Sequence, residues 1–140
     1  MAKIKSCGGV VYDVKKEQVF YLIIQNKMSR KYGFPKGHME AGETKVETAK
    51  REIFEETGHL VKLYEDLYEK STYMLGEDLK EVTYFLARTD HQNSLMQLSE
   101  ISDLKWLTYE AALEVLNFKK DQEILANMHE KIKKIEGSLT

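Results

Sequence analysis

Gly37-His38-Met39-Glu40-Ala41-Gly42-Glu43-Thr44-Lys45-Val46-Glu47-Thr48-Ala49-Lys50-Arg51-Glu52-Ile53-Phe54-Glu55-Glu56-Thr57-Gly58 is the stretch on which the reading of this chain turns. Thr44 followed three residues later by Glu47 is a capping box, so a helix is expected to start there. Gly58 is suited to the left-handed residue that closes a helix, which gives it about four turns. With Glu52 as origin and 3.6 residues per turn, Glu55 falls at about 300° and Glu56 at about 40°. The three carboxylates therefore share one side. Val46, Ala49 and Ile53 form an adjacent apolar stripe that can dock on a sheet.

Like charges at these spacings weaken a helix, and the macrodipole disfavours anions toward its C-terminal end. Arg51 flanks the cluster and is expected to offset one charge, not three. Two readings of this face stand. It is either a solvated acidic surface or a site for a hard divalent cation, which favours carboxylate oxygens.

Outward from the helix, the chain reads as one domain over residues 1–140. A hydrophobic fraction of 42% with 31% charged residues fits a soluble globule, and a net charge of −2 argues against nucleic-acid or membrane binding by charge alone. No apolar run reaches membrane-spanning length, and the start lacks a signal-peptide core. The lone Cys7 offers neither an internal disulfide nor a cysteine metal site, so a reducing, cytoplasmic setting is expected. With one proline and eight glycines clustered at turns, no linker divides the sequence.

Before the helix, residues 3–12 read as a strand whose Gly8-Gly9 pair permits close approach of a backbone or ligand. Val19-Phe20-Tyr21-Leu22-Ile23-Ile24 reads as a second, buried strand, joined to the first by a polar hairpin. Pro35 forces Phe34 into an extended conformation and shapes the loop to Gly37, with Lys36 and His38 on either side of it. After the helix, residues 60–74 supply one or two strands and Gly76-Glu77-Asp78 a turn. Residues 82–87 supply another strand and residues 89–99 a loop. Lys105-Trp106-Leu107 is a short strand. Thr108 caps a helix that buries Ala112, Val115 and Leu116. A last helix presents Ile124, Met128, Ile132 and Ile135 as a core stripe. Strands, helix, strands and two closing helices predict an α/β fold with a mixed sheet between helices.

The same central stretch resembles the signature of the Nudix hydrolases through Gly37, Glu43, Arg51, Glu52, Ile53, Glu55, Glu56 and Gly58. One position departs: His59 stands where the signature has an aliphatic residue. The expected architecture is then the Nudix αβα sandwich. Further resemblance, to the branch that cleaves diadenosine tetraphosphate asymmetrically, lies in Cys7-Gly8-Gly9-Val10-Val11 and Phe34-Pro35-Lys36-Gly37-His38. Tyr73, Lys80, Tyr84-Phe85-Leu86-Ala87, Leu98-Ser99-Glu100, Trp106-Leu107 and Phe118-Lys119 follow in the order of that branch. Phe34 and Tyr32 depart from residues common there, which bears on how a base would stack.

The resemblance implies a role for each residue. Glu52, Glu55 and Glu56 hold Mg²⁺ or Mn²⁺, with Glu100 as a fourth carboxylate and the Gly37 carbonyl completing the shell. One glutamate, with Glu52 the choice, also prepares the attacking water. Lys36, His38 and Lys80 contact polyphosphate, and Tyr73 and Phe118 stack on bases, although both aromatics also read as core. Arg51 and Glu43 organise the carboxylates. The implied activity is hydrolysis of a small nucleoside polyphosphate, diadenosine tetraphosphate to ATP and AMP, with no stable nucleic-acid partner, no membrane and no oligomeric state specified. Other Nudix substrates (oxidised nucleoside triphosphates, nucleotide sugars, inositol polyphosphates, RNA 5′ ends) and a non-catalytic nucleotide sensor are the alternatives.

Overall fold

The computed structural model describes residues 2–97 and 99–137, and among them a seven-stranded mixed sheet carries helices on both faces. β1 (Lys3–Lys15) and β2 (Gln18–Asn26) form the expected hairpin, but its turn is made by Lys16 and Glu17, both left-handed at φ 49° and 65°. β3 (Tyr32–Gly33) adds to β2, and β4 (Lys36–His38) pairs with the first half of β1. There Gly8 lies against the Pro35 carbonyl and the Lys36 backbone, where any β-carbon would overlap them. The close approach anticipated for the glycine pair is thus to backbone at Gly8 and chiefly to the Ile53 side chain at Gly9.

The long strands after the helix are β5 (Lys62–Leu75) and β6 (Asp78–Arg88), a hairpin turned by Gly76-Glu77. The loose alternation of residues 60–74 is one strand interrupted by a bulge between Tyr64 and Tyr68. β6 then runs parallel to β1 from Lys3–Leu79 to Tyr12–Arg88, which makes the sheet mixed. β7 (Ile101–Thr108) is longer than the three residues expected, and pairs with the opposite edge of β2.

Side-chain alternation splits the core into two layers. Val10, Tyr12, Tyr21, Ile23, Tyr84 and Leu86 point toward α2 (Tyr109–Val115) and α3 (Lys119–Glu136). Cys7, Val11, Leu22 and Phe85 point the other way, where Ala49 and Ile53 of α1 (Lys45–Thr57) cover them. α3 buries Ile124, Leu125, Met128, His129 and Ile132, while Ile135 is exposed. The expected stripe therefore ends one turn early, and Leu125 and His129 fill the seam instead. Among the described residues, no helix is long and apolar enough to cross a membrane.

Candidate active site

α1 forms where its local signals place it. The Thr44 hydroxyl accepts the Glu47 N–H at 3.1 Å, the Glu47 carboxylate accepts the Thr44 N–H at 2.8 Å, and Gly58 closes the helix at φ 76°. The helix presents Glu52, Glu55 and Glu56 toward the β4 edge, but their partners differ. The Arg51 guanidinium lies among carboxylates rather than beside one. Its Nε donates to Glu43 at 2.7 Å, and Nη1 donates to Glu52 at 2.7 Å and to Glu55 at 3.2 Å. Glu40 lies 3.6 Å from Nη1, and Nη2 also donates to the His38 carbonyl at 3.0 Å. One guanidinium charge is thus shared among four acids rather than paired with one of them.

Glu43 is held by Arg51 from two nitrogens and also accepts from the Glu40 amide and the Thr48 hydroxyl. The Arg51 hydrogen bonds hold its carboxyl down at about 2. Glu56 is the opposite case. It is 6% exposed, its Oε1 accepts the Lys36 N–H at 3.0 Å, and burial, reinforced by the charges of Glu52 and Glu100, pushes it up to about 8. Glu52 is also raised, first by burial, against the pull of Arg51. Its carboxylate fills the space beside Gly37, so that a β-carbon there would overlap it. Glycine at 37 is what lets the acid approach the strand.

Glu100 sits in the turn before β7, exposed, and its charge is felt by both Glu52 and Glu56. Leu98 lies outside the described residues. Among the described residues, no three carboxylate, imidazole or thiolate groups form a preformed cation cage. The reason is visible in the contacts: Arg51 draws Glu52 and Glu55 one way, and the Lys36 amide holds Glu56 another. By donor type the set suits a hard divalent ion, since every ligand candidate is an oxygen.

Glu56 connects this cluster to a cleft of about 540 Å³ on the α3 side of the sheet. Lys36, Tyr73 and Phe118 line it, as do Tyr32 and Asp121. Tyr73 is 40% and Phe118 53% exposed, which sets aside the reading of either as a core aromatic. The Lys80 and Lys36 ammonium groups lie 5.9 and 6.0 Å from the Tyr73 ring centroid, so two cations gather over one aromatic ring. His38 is exposed outside the cleft lining, and its carbonyl, not its ring, engages Arg51. Asp121 escaped the sequence reading. It is buried against the cleft, with burial raising its carboxyl, yet in sequence it resembles any acid in a helix's first turn.

Comparison with known proteins identifies relatives of this chain. The NUDIX domain profile matches residues 3–128. The asymmetrical bis(5'-nucleosyl)-tetraphosphatase of Mus musculus is 34% identical over 100 residues, 69% of this chain and 68% of that protein. An 8-oxo-(d)GTP phosphatase of Mycolicibacterium smegmatis is 34% identical over 94 residues, 67% of this chain; the chain spans only 29% of that relative's length. In fold, a C. elegans Ap4A hydrolase in a binary complex superposes with a TM-score of 0.87 at 24% identity, covering 94% of this chain and 98% of that one.

Proposed function

The chain belongs to the Nudix family, and on that premise we propose that it hydrolyses a nucleoside polyphosphate, with diadenosine tetraphosphate cleaved to ATP and AMP. One observation carries the reading: the buried Glu56 belongs both to the α1 acid cluster and to the lining of a cleft walled by Tyr73 and Phe118. A base held in that cleft would leave its phosphates running toward the carboxylates. Stacking on an aromatic is worth about 1–3 kcal/mol per base and is indifferent to sequence.

Mg²⁺ or Mn²⁺ held by Glu52, Glu55, Glu56, Glu100 and the Gly37 carbonyl would supply charge neutralisation of the polyphosphate and acidification of water. The chain's own groups do the rest. Lys36 and Lys80, both beside Tyr73, meet the phosphate chain, with His38 as a rim contact. Arg51 keeps Glu52 and Glu55 oriented and, by holding Glu43, ties the cluster to the loop before α1. Glu52, raised by burial and set against Gly37, is the group assigned to take the proton of the attacking water.

The test is a panel of diadenosine tetraphosphate, ATP and oxidised nucleoside triphosphates, each with Mg²⁺, with products identified by chromatography. The proposal expects the dinucleotide to have the highest kcat/KM and to yield ATP and AMP. A preference for 8-oxo-dGTP would transfer the chain to the activity named for the Mycolicibacterium smegmatis relative. No turnover of any substrate would favour a nucleotide-sensing module.

A further inference from the structure

His59 occupies the one signature position that departs from pattern, and it is completely buried. An imidazole in place of an aliphatic side chain brings two polar atoms into the core, each of which needs a partner. Both have one. Nε2 lies 2.6 Å from the Ser94 hydroxyl and Nδ1 lies 3.2 Å from the Thr89 hydroxyl. The Trp106 indole N–H donates to the same Ser94 oxygen at 3.1 Å. A single direction satisfies every member: indole N–H to Ser94, Ser94 O–H to Nε2, and Nδ1–H to Thr89. The ring also meets Trp106 edge-on at 5.5 Å and His91 at 4.8 Å between centroids.

The partners of His59 frame a segment with no regular structure. Residues 89–97 run from the end of β6 toward Glu100 without strand or helix. Two backbone bonds tie this segment to the C-terminal end of α1, Leu95 N–H to the Thr57 carbonyl at 2.9 Å and Gln97 N–H to the Glu56 carbonyl at 3.2 Å. The Gln97 carbonyl then accepts the amides of Glu100 and Ile101, at 3.2 and 2.8 Å. A chain of contacts therefore leads from the His59 ring through Ser94 and Gln97 to Glu100.

We propose that His59 is a positioning residue, pinning the 89–97 segment to the end of α1 and thereby fixing where Glu100 stands relative to Glu52 and Glu56. A satisfied core histidine would need only some pair of partners. Here both partners lie on the segment that leads to the fourth carboxylate; the Thr89 N–H anchors its start on the Tyr12 carbonyl of β1, and the Leu95 and Gln97 amides anchor its end on Thr57 and Glu56. A leucine at 59 would fill the core but leave Ser94 and Thr89 without the imidazole. The importance of Glu100 rests on the function proposed above; the pinning itself does not.

Two readouts test it without substrate. Amide hydrogen exchange at Leu95 and Gln97 should quicken about tenfold or more in His59→Leu, as local opening becomes cheaper. Ser94→Ala should do the same, and it keeps the question answerable should His59→Leu not fold; circular dichroism checks folding in both. Mn²⁺ affinity, read by electron paramagnetic resonance, should fall about tenfold in His59→Leu, in line with other supporting contacts behind metal ligands. In the double variant with Glu100→Gln, the loss should not exceed that of Glu100→Gln alone, because both changes act through one group. Unaltered exchange at Leu95 and Gln97 in a folded variant would overturn the pinning. Additive losses, or a wild type without Mn²⁺ affinity, would overturn the link to Glu100. Failure of the nucleotide panel alone would count against the proposed substrate and not against His59.

Discussion

Glu56 is a buried carboxyl without a full counter-ion, and its titration is coupled to stability. Its folded pKa of about 8 lies above the ordinary value of 4.5, so the folded protein retains a proton that the unfolded chain has released. Stability of the cation-free protein should therefore fall as pH rises between those values, by an amount on the order of a few kcal/mol. Glu52, raised in the same direction, adds to the slope. Glu56→Gln should flatten most of it and stabilise the protein at pH 8, while removing most of the hydrolytic activity. Urea melts of the two proteins from pH 5 to 8 decide this; parallel slopes would refute it. Glycine 37 gives a second test at this scale. Gly37→Ala must displace the Glu52 carboxylate, so activity should drop well over tenfold with little change in melting temperature, as assays and calorimetry would show. The carboxylate spacing was legible in the sequence because helix angles follow from residue number alone. The reach of Arg51 to Glu40, Glu43, Glu52 and Glu55 was not, since three of those contacts depend on side-chain path or on the loop before the helix.

Among the elements, α1 and the β5–β6 hairpin hold the residues on which the proposed reaction would depend. α1 was readable at both ends because its stop signals are local: Thr44 and Glu47 satisfy each other, and Gly58 adopts the left-handed turn. Thr44→Ala should cost about 1 kcal/mol of stability, measurable as a lower denaturation midpoint. The hairpin was readable only in part. Its turn at Gly76-Glu77 is signalled by glycine, whereas the bulge at Tyr64–Tyr68 leaves no mark in composition. The cleft was the least legible feature, because β5, the stretch from β3 to the start of β4 and the start of α3 meet only after folding. Tyr73 and Lys80 are direct cross-strand partners in this hairpin, which places stacking face and cation together. Tyr73→Ala should raise KM about tenfold or more, the loss expected for one stacked base. Lys80→Met should reduce kcat/KM more for long polyphosphates than for short ones. Equal loss across chain lengths would remove Lys80 from the phosphate path.

For the whole molecule, the question is what keeps α3 on the sheet, since its first residues, Phe118 at the cap and Asp121, line the cleft. One clamp is at the far end, where Glu136 accepts from the Tyr12 hydroxyl at 2.7 Å and from Arg88 at 2.6 Å. The other is central. His129 stacks on Tyr109 at 3.9 Å, and its Nδ1 lies 2.6 Å from the Tyr21 hydroxyl, which a neutral ring accepts. Burial, with Lys133 close by, depresses the His129 pKa below its ordinary 6.5, and burial depresses that of His59 likewise. A base of this kind is neutral when folded and charged when unfolded in acid. Its stabilising contribution is therefore complete above pH 6.5 and is lost as pH falls below it. The slope opposes that of Glu56 where the two windows overlap, from pH 4.5 to 6.5, so the cation-free protein should show its plain loss of stability with rising pH only above 6.5. His129→Gln should remove its share of the acid slope, up to about 1.4 kcal/mol per pH unit, and leave the alkaline slope of Glu56 intact. Urea denaturation at half-unit steps from pH 5 to 8 separates the two. If His129→Gln and the wild type follow the same pH dependence below pH 6.5, the central clamp of α3 does not depend on a neutral imidazole.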